Sequence, residues 1–139
     1  MSDLENIGKL LKSSRYNVKF NIDDLTEDHL NKLNVLNSYV EFEYPTDYDE
    51  TFNSTQYIVM KFLETDKLLT YKFIEKIQYE IYKDIDVDIE LLDESQTPVL
   101  VFKGILRLIK WELPVLDATN KNFEYKLRFK IRTYQMLIS

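Results

Sequence analysis

The sequence predicts a mainly β domain with added helix (α+β): antiparallel strands in a sandwich or partly closed barrel, flanked by one main helix. Two observations lead there. Between Arg15 and Ile138 most segments alternate apolar and polar residues, or run apolar, over lengths typical of strands. One long segment, Asp66–Tyr82, instead carries its apolar residues at helical spacing. The elements run helix, strand, short helix, two strands, long helix, then three or four strands, with no linker, repeat or low-complexity tract. The chain has 139 residues, 45% hydrophobic and 14% aromatic, which fits a single domain, 1–139, with a real core.

Taken in order, Leu4, Ile7 and Leu11 predict a short amphipathic helix over Asp3–Lys12, within an N-terminal helix or arm of residues 1–14. Arg15–Ile22 alternates, with Tyr16, Val18, Phe20 and Ile22 facing inward. Asp24 offers an N-cap with Glu27 three residues on, opening a short helix to Leu33. Val35–Tyr44 and Thr55–Glu64 read as strands separated by the polar Pro45–Asn53 loop. Ile58, Val59 and Met60 are apolar on both parities, which predicts burial on both faces. Thr65 caps the long helix. Leu69, Phe73, Ile74, Ile77 and Ile81 form its core stripe; Leu68, Tyr71, Tyr79 and Tyr82 form a second stripe. A surface helix needs only one such stripe, so the second calls for complete burial or another subunit.

Asp84–Leu92 alternates again, with Ile85, Val87, Ile89 and Leu91 inward. Asp93–Pro98 is a turn by composition. Val99–Trp111 is a long apolar strand or strand pair, with Gly104 a bulge or bend. Glu112–Asn122 is a loop holding Pro114. Asn122–Ile138 is the longest strand, with Phe123, Tyr125, Leu127, Phe129 and Ile131 inward.

The totals exclude several function classes. With Gly 2, no glycine-rich phosphate loop can be written. The single His29 rules out a site built on two imidazoles, and it reads as a surface residue. The absence of Cys removes disulfides and thiolate metal sites and fits a reducing compartment. A net charge of −6 opposes gripping a nucleic-acid backbone. No apolar run approaches the roughly 18 residues of a membrane helix, and Met1–Leu11 does not read as a signal peptide, so no membrane anchor is expected. No cofactor, metal or catalytic residue is predicted, and the chain reads as no enzyme.

Two rows of charge stand out. Asp84, Asp86, Asp88 and Glu90 share one strand face, about 7 Å apart per step. A calcium site or a glycosidase pair is one reading, but the glycine and glutamate of a calcium loop do not fall in place. A solvated face is the plainer one. Lys126, Arg128, Lys130 and Arg132 form a basic row of the same period. Aromatics on that strand fall on the opposite parity, unlike a single-strand-binding platform. Were the two strands neighbours, the rows would form a ladder worth roughly 0.2–1 kcal/mol per pair. Otherwise each row is free to meet its opposite on another copy.

The stretch Asp86–Phe102, with its turn Leu92-Asp-Glu-Ser-Gln-Thr-Pro98, resembles the tail tube proteins of contractile-tailed bacteriophages. There, too, a strand ends in an acidic turn of this kind and returns as an apolar strand. The sequel is also similar: Pro114, then Leu116-Asp-Ala-Thr-Asn120, then the aromatic final strand Phe123–Tyr134. The resemblance covers the second half well and the first half by order of elements.

It implies a tail-tube-like fold and a structural virion protein, made in the host bacterial cytoplasm. It further implies a hexameric ring around a channel for DNA, stacking into a tube and contacting sheath and baseplate proteins. DNA would be a passenger. A tube-like baseplate ring, or the tube of a contractile injection or type VI secretion system, is the close alternative. A small-ligand-binding barrel is the alternative from another class. The interface residues expected under the ring reading are Leu68, Tyr71, Tyr79, Tyr82, Asp84, Asp86, Asp88, Glu90, Lys126, Arg128, Lys130 and Arg132.

Overall fold

The computed structural model describes residues 7–43, 56–79, 84–119 and 121–139. In chain order these form β1 (Tyr16–Asn21), α1 (Glu27–Leu36), β2 (Asn37–Glu43), β3 (Tyr57–Leu63), α2 (Leu69–Tyr79), β4 (Ile85–Leu92), β5 (Pro98–Glu112) and β6 (Glu124–Ile138). The strands join in one sheet of order β1-β4-β5-β6-β3-β2, and every neighbouring pair is antiparallel. Of the two predicted architectures this is the partly closed barrel.

The curl can be read from the core. Phe20 on β1 and Phe62 on β3 lie four strands apart, about 19 Å in a flat sheet. Their ring centroids are 6.1 Å apart, and both rings meet Phe73 of α2, at 4.7 Å and 6.0 Å. The two edge strands also meet, where Tyr16 Oη of β1 donates to Asn37 Oδ1 of β2 at 2.6 Å. α1 spans the gap between them. Asn34 Oδ1 accepts the outward Val18 N–H at 2.7 Å, and Asn34 Nδ2 donates to Asn17 Oδ1 at 3.0 Å. A side chain thus covers part of the β1 edge that would otherwise bare its backbone.

The alternating patterns carry through. Val18, Phe20, Ile85, Val87, Ile89, Tyr125, Leu127 and Phe129 are all buried in one cluster with Phe73, Ile74 and Ile77. On β3, Ile58, Val59 and Met60 are all buried, as the two-parity reading predicts. Val59 faces outward and is flanked across the ladder by Glu41 and Arg128. The Arg128 guanidinium lies 4.0 Å from the centre of the Tyr57 ring and helps cover that face.

Element ends differ more. Thr26, not Asp24, caps α1: its Oγ1 accepts from His29 N at 3.1 Å, and Glu27 and Asp28 occupy the first turn. The helix runs three residues past Leu33, so Val35 and Leu36 belong to it and not to β2. Asp66–Leu68 form a turn before α2, with Leu68 at φ 57. Thr65 serves that turn, accepting from Lys67 N. The cap comes from the preceding residue: Glu64 Oε1 accepts Thr70 N at 3.1 Å and Oε2 accepts Tyr71 N at 2.8 Å. Of the predicted N-terminal helix, residues 1–6 lie outside the described residues. Gly8 turns away at φ +101, and residues 8–12 are not helical.

The Asp93–Pro98 turn forms as predicted: Asp93 Oδ1 accepts from Ser95 N and Thr97 N, and Gln96 takes φ 64. β5 is one strand, but Gly104 is not its bulge. Gly104 pairs regularly with Val87 and Tyr134. The register shifts fall at Ile105/Leu106 and Leu108/Lys110 against β6, and between Pro98 and Leu100 against β4. What Gly104 provides is room for the Phe102 ring, which packs over its Cα.

Candidate assembly surfaces

β6 is 15 residues long and β3 is 7. β3 pairs with β6 from Glu124 to Lys130, and the ladder closes with Ile131 N donating to Gln56 O. Beyond that point, among the described residues, Arg132–Ile138 pairs on one side only, with β5. The bonding pattern assigns its exposed groups. Ser139 N donates to Val99 O, so Leu137, Gln135 and Thr133 also turn their backbone groups toward β5. The N–H and C=O groups of Tyr134, Met136 and Ile138 then point to the open side. An edge of this kind is a template for another strand.

The side chains there are apolar. The bulge at Arg132 slips the alternation by one, so Tyr134 and Met136 sit opposite the inward Gly104 and Phe102. Tyr134 stacks on Phe102 at 5.5 Å, and Phe102 meets Phe42 at 5.1 Å. Even so, Tyr134 is 47%, Met136 49% and Ile138 91% exposed. Sequence periodicity missed this site, because its parity depends on the bulge and its openness on the order of strands.

The two charge rows are not neighbours, since β5 lies between β4 and β6. Most of the acidic row and half of the basic row are answered within the chain. Asp84 Oδ1 takes Arg107 at 3.0 Å, with Arg132 Nε at 4.0 Å. Asp88 meets Lys103 at 3.4 Å, and Glu90 meets Lys19 at 3.1 Å. Arg128 pairs with Glu43 at 3.0 Å. Among the described residues, Asp86, Lys126 and Lys130 form no ion pair. At exposed positions such pairs contribute roughly 0–1 kcal/mol each.

The second helical stripe is dispersed. Leu68 precedes α2 and is 48% exposed. Tyr71 meets the Trp111 ring edge-on at 6.4 Å, and Trp111 Nε1 donates to Gln78 Oε1 at 2.5 Å. Tyr79 ends α2, and Tyr82 lies outside the described residues. Beyond Trp111, Leu113, Val115 and Leu116 are exposed, and Asp117 closes that loop by accepting from Thr119 N at 2.9 Å.

Two polar groups hold the start of α2, one to α1 and one to β6. His29 is half-buried at the surface: its Nε2 lies 2.7 Å from Leu69 O, joining α1 to the first turn of α2. Tyr125 is buried, and burial together with a hydrogen bond to Glu64 pushes its hydroxyl up to about 12. Among the described residues no group of three or more His, Cys, Asp or Glu side chains could hold a metal ion, and no helix is long and apolar enough to cross a membrane.

No protein-family model matches the sequence, and no curated protein matches it. Solved structures do. The chain is similar to one in the cryo-EM structure of the anti-feeding prophage baseplate, with TM-score 0.62, 17% identity, and 94% of this chain and 97% of that one covered. It is similar to one in the sheath–tube complex, in the extended state, of the extracellular contractile injection system PVC, with TM-score 0.63, 14% identity, and 100% and 99% covered. It is also similar to one in the tube-terminating cap of the anti-feeding prophage, with TM-score 0.60, 15% identity, and 95% and 93% covered. At these identities the likeness establishes a common fold along nearly the whole chain.

Proposed function

We propose that this protein is a non-catalytic structural subunit of a tube or tube-like ring in a contractile tail or injection particle. The observation that carries the reading is the end-to-end fold likeness to chains from baseplate, sheath–tube and cap structures of such particles. The sequence resemblance over Asp86–Phe102 supports it separately. The neighbours favour an injection particle over a phage tail, and in either case the subunit works as part of the assembled particle. Six copies form the ring, sheath and baseplate proteins are its neighbours, and DNA or another cargo passes through the lumen.

The open edge of β6 is the seam in this reading. A strand from the next copy pairs with the outward groups of Tyr134, Met136 and Ile138, and Asp86 of one copy answers Lys126 or Lys130 of another. Leu68, Tyr71 and the Leu113–Leu116 loop take part in contacts between rings. The ring cluster of Phe20, Phe62, Phe73 and Phe129 fills the space that a ligand-binding barrel would keep for its ligand.

The test is Met136→Pro. Proline removes an N–H that faces the open side, so the monomer keeps its β5 pairing. Ring- or tube-sized species of the parent protein are expected by electron microscopy and analytical ultracentrifugation at high concentration. The variant is expected to stay monomeric with an unchanged far-ultraviolet circular dichroism spectrum. A parent protein that is strictly monomeric across a wide concentration range sinks the proposal. A variant that assembles as well as the parent sinks the seam.

A further inference from the structure

The segment before β1 is held in an unusual way. Its large side chains do not anchor it: Ile7 is 74%, Leu10 72% and Leu11 52% exposed. Lys9–Leu11 line an open cleft of about 410 Å³ together with Asp93, Glu94, Ser95 and Val99. Gly8, at φ +101 with nothing near its Cα, gives a joint that an ordinary residue would resist.

Among the described residues, the side-chain contact that holds the segment is to one carboxylate. Lys9 Nζ lies 2.9 Å from Glu94 Oε2, with the two side chains 79% and 52% exposed. The Lys9 hydrogen bond, followed by the charges of Lys9, Arg15 and Lys12, keeps the Glu94 carboxyl below its ordinary range. Lys9 contacts Glu94, and the charges of Lys12 and Arg15, three and six residues on, act on the same carboxylate. Its own position is fixed, because it sits in the turn organised by Asp93.

We infer that residues 7–12 form a strap latched on Glu94, which opens when salt or loss of that charge weakens the latch. With little apolar contact behind it, the ion pair decides the balance between closed and open. Opening at Gly8 and Lys12 moves Leu10 and Leu11 away from the Asp93–Pro98 turn together. The inference does not rest on the assembly reading, since latch and strap belong to one subunit.

The test is trypsin cleavage after Lys9 and Lys12 in the folded full-length protein. Rates are taken on the monomer fraction and normalised to a free peptide of the same sequence. Raising salt from about 20 mM to about 500 mM is expected to speed cleavage of the parent by roughly 1.5- to 5-fold, the range set by an exposed pair. Glu94→Gln is expected to be that fast already at low salt and indifferent to more. Asp28→Asn removes another carboxylate paired with a lysine, the partner of Lys32 and more exposed than Glu94, and is expected to behave as the parent. Equal low-salt rates for Glu94→Gln and the parent overturn the latch. So does an acceleration by Asp28→Asn as large as that by Glu94→Gln.

Discussion

Gly104→Ala tests whether the close approach of Phe102 is a packing requirement. Gly104 does not use a left-handed conformation, so alanine meets no backbone penalty and relieves the entropy cost of glycine in a strand, roughly 0.5–1 kcal/mol. The obstacle is the added Cβ. It overlaps Cε1 of the Phe102 ring and lies 2.8 Å from Cζ, closer than carbon atoms approach without movement. The ring has little freedom to yield. It is 4% exposed and held between Phe42 at 5.1 Å and Tyr134 at 5.5 Å. Overpacking of this kind costs about 1–3 kcal/mol. The net expectation is about 1–2 kcal/mol of destabilisation. At roughly 2.1 cal/mol/K per residue of unfolding entropy, that lowers Tm by about 3–7 °C, read by calorimetry. Phe102→Leu removes the offending ring atoms, so in that background Gly104→Ala is expected to cost less than about 0.5 kcal/mol. A Gly104→Ala protein that melts within a degree of the parent refutes the argument. A cost that persists in the Phe102→Leu background assigns the effect to the backbone instead.

Two further predictions concern the start of α2. Glu64→Gln leaves one acceptor for the amides of Thr70 and Tyr71 and removes the charge that favours a helix start; a loss of about 1 kcal/mol is expected in urea unfolding, and an unchanged midpoint and slope would show that packing alone sets the helix start. Tyr125 holds its proton up to about pH 12 when folded, against about 10 when unfolded, so its contribution is full below pH 10 and lost as pH rises through 12. Relative to Tyr125→Phe, the parent is expected to lose up to about 2 kcal/mol between pH 9.5 and 11.5, somewhat less where solvent screens the site; parallel stability curves for the two proteins would count against it.

How much of this was legible in the sequence depends on the kind of information each feature needs. Alternation on β1, β4 and β6 reports which residues are buried, because a period of two needs no knowledge of neighbours. The double parity of Ile58, Val59 and Met60 is local in the same sense. Caps are less so. Asp24 with Glu27 and Thr26 with His29 are both sound N-terminal patterns, and the choice falls to Thr26 once Asp23 and Asp24 are taken up by the turn after Ile22. Glu64 lies outside any short cap motif, because the chain turns at Leu68 before the helix begins.

The candidate assembly surfaces needed the order of strands, which no local pattern contains. Opposite charge rows on Asp84–Glu90 and Lys126–Arg132 invite pairing on paper, yet β5 separates them and supplies Lys103 and Arg107 to the acidic row. A bulge at Arg132 then turns Tyr134 and Met136 toward the face of Phe102, against the parity carried up to Ile131. Length offered the one signal that was available. A final strand of some fifteen residues cannot be matched along its whole edge by a neighbour as short as Thr55–Glu64. Val99–Trp111 is long enough to match one edge, so on the other edge several backbone groups had to look elsewhere. The sequence thus contained the mismatch, and only the topology shows that, among the described residues, it falls on Tyr134, Met136 and Ile138, where an unpaired edge and exposed apolar side chains coincide.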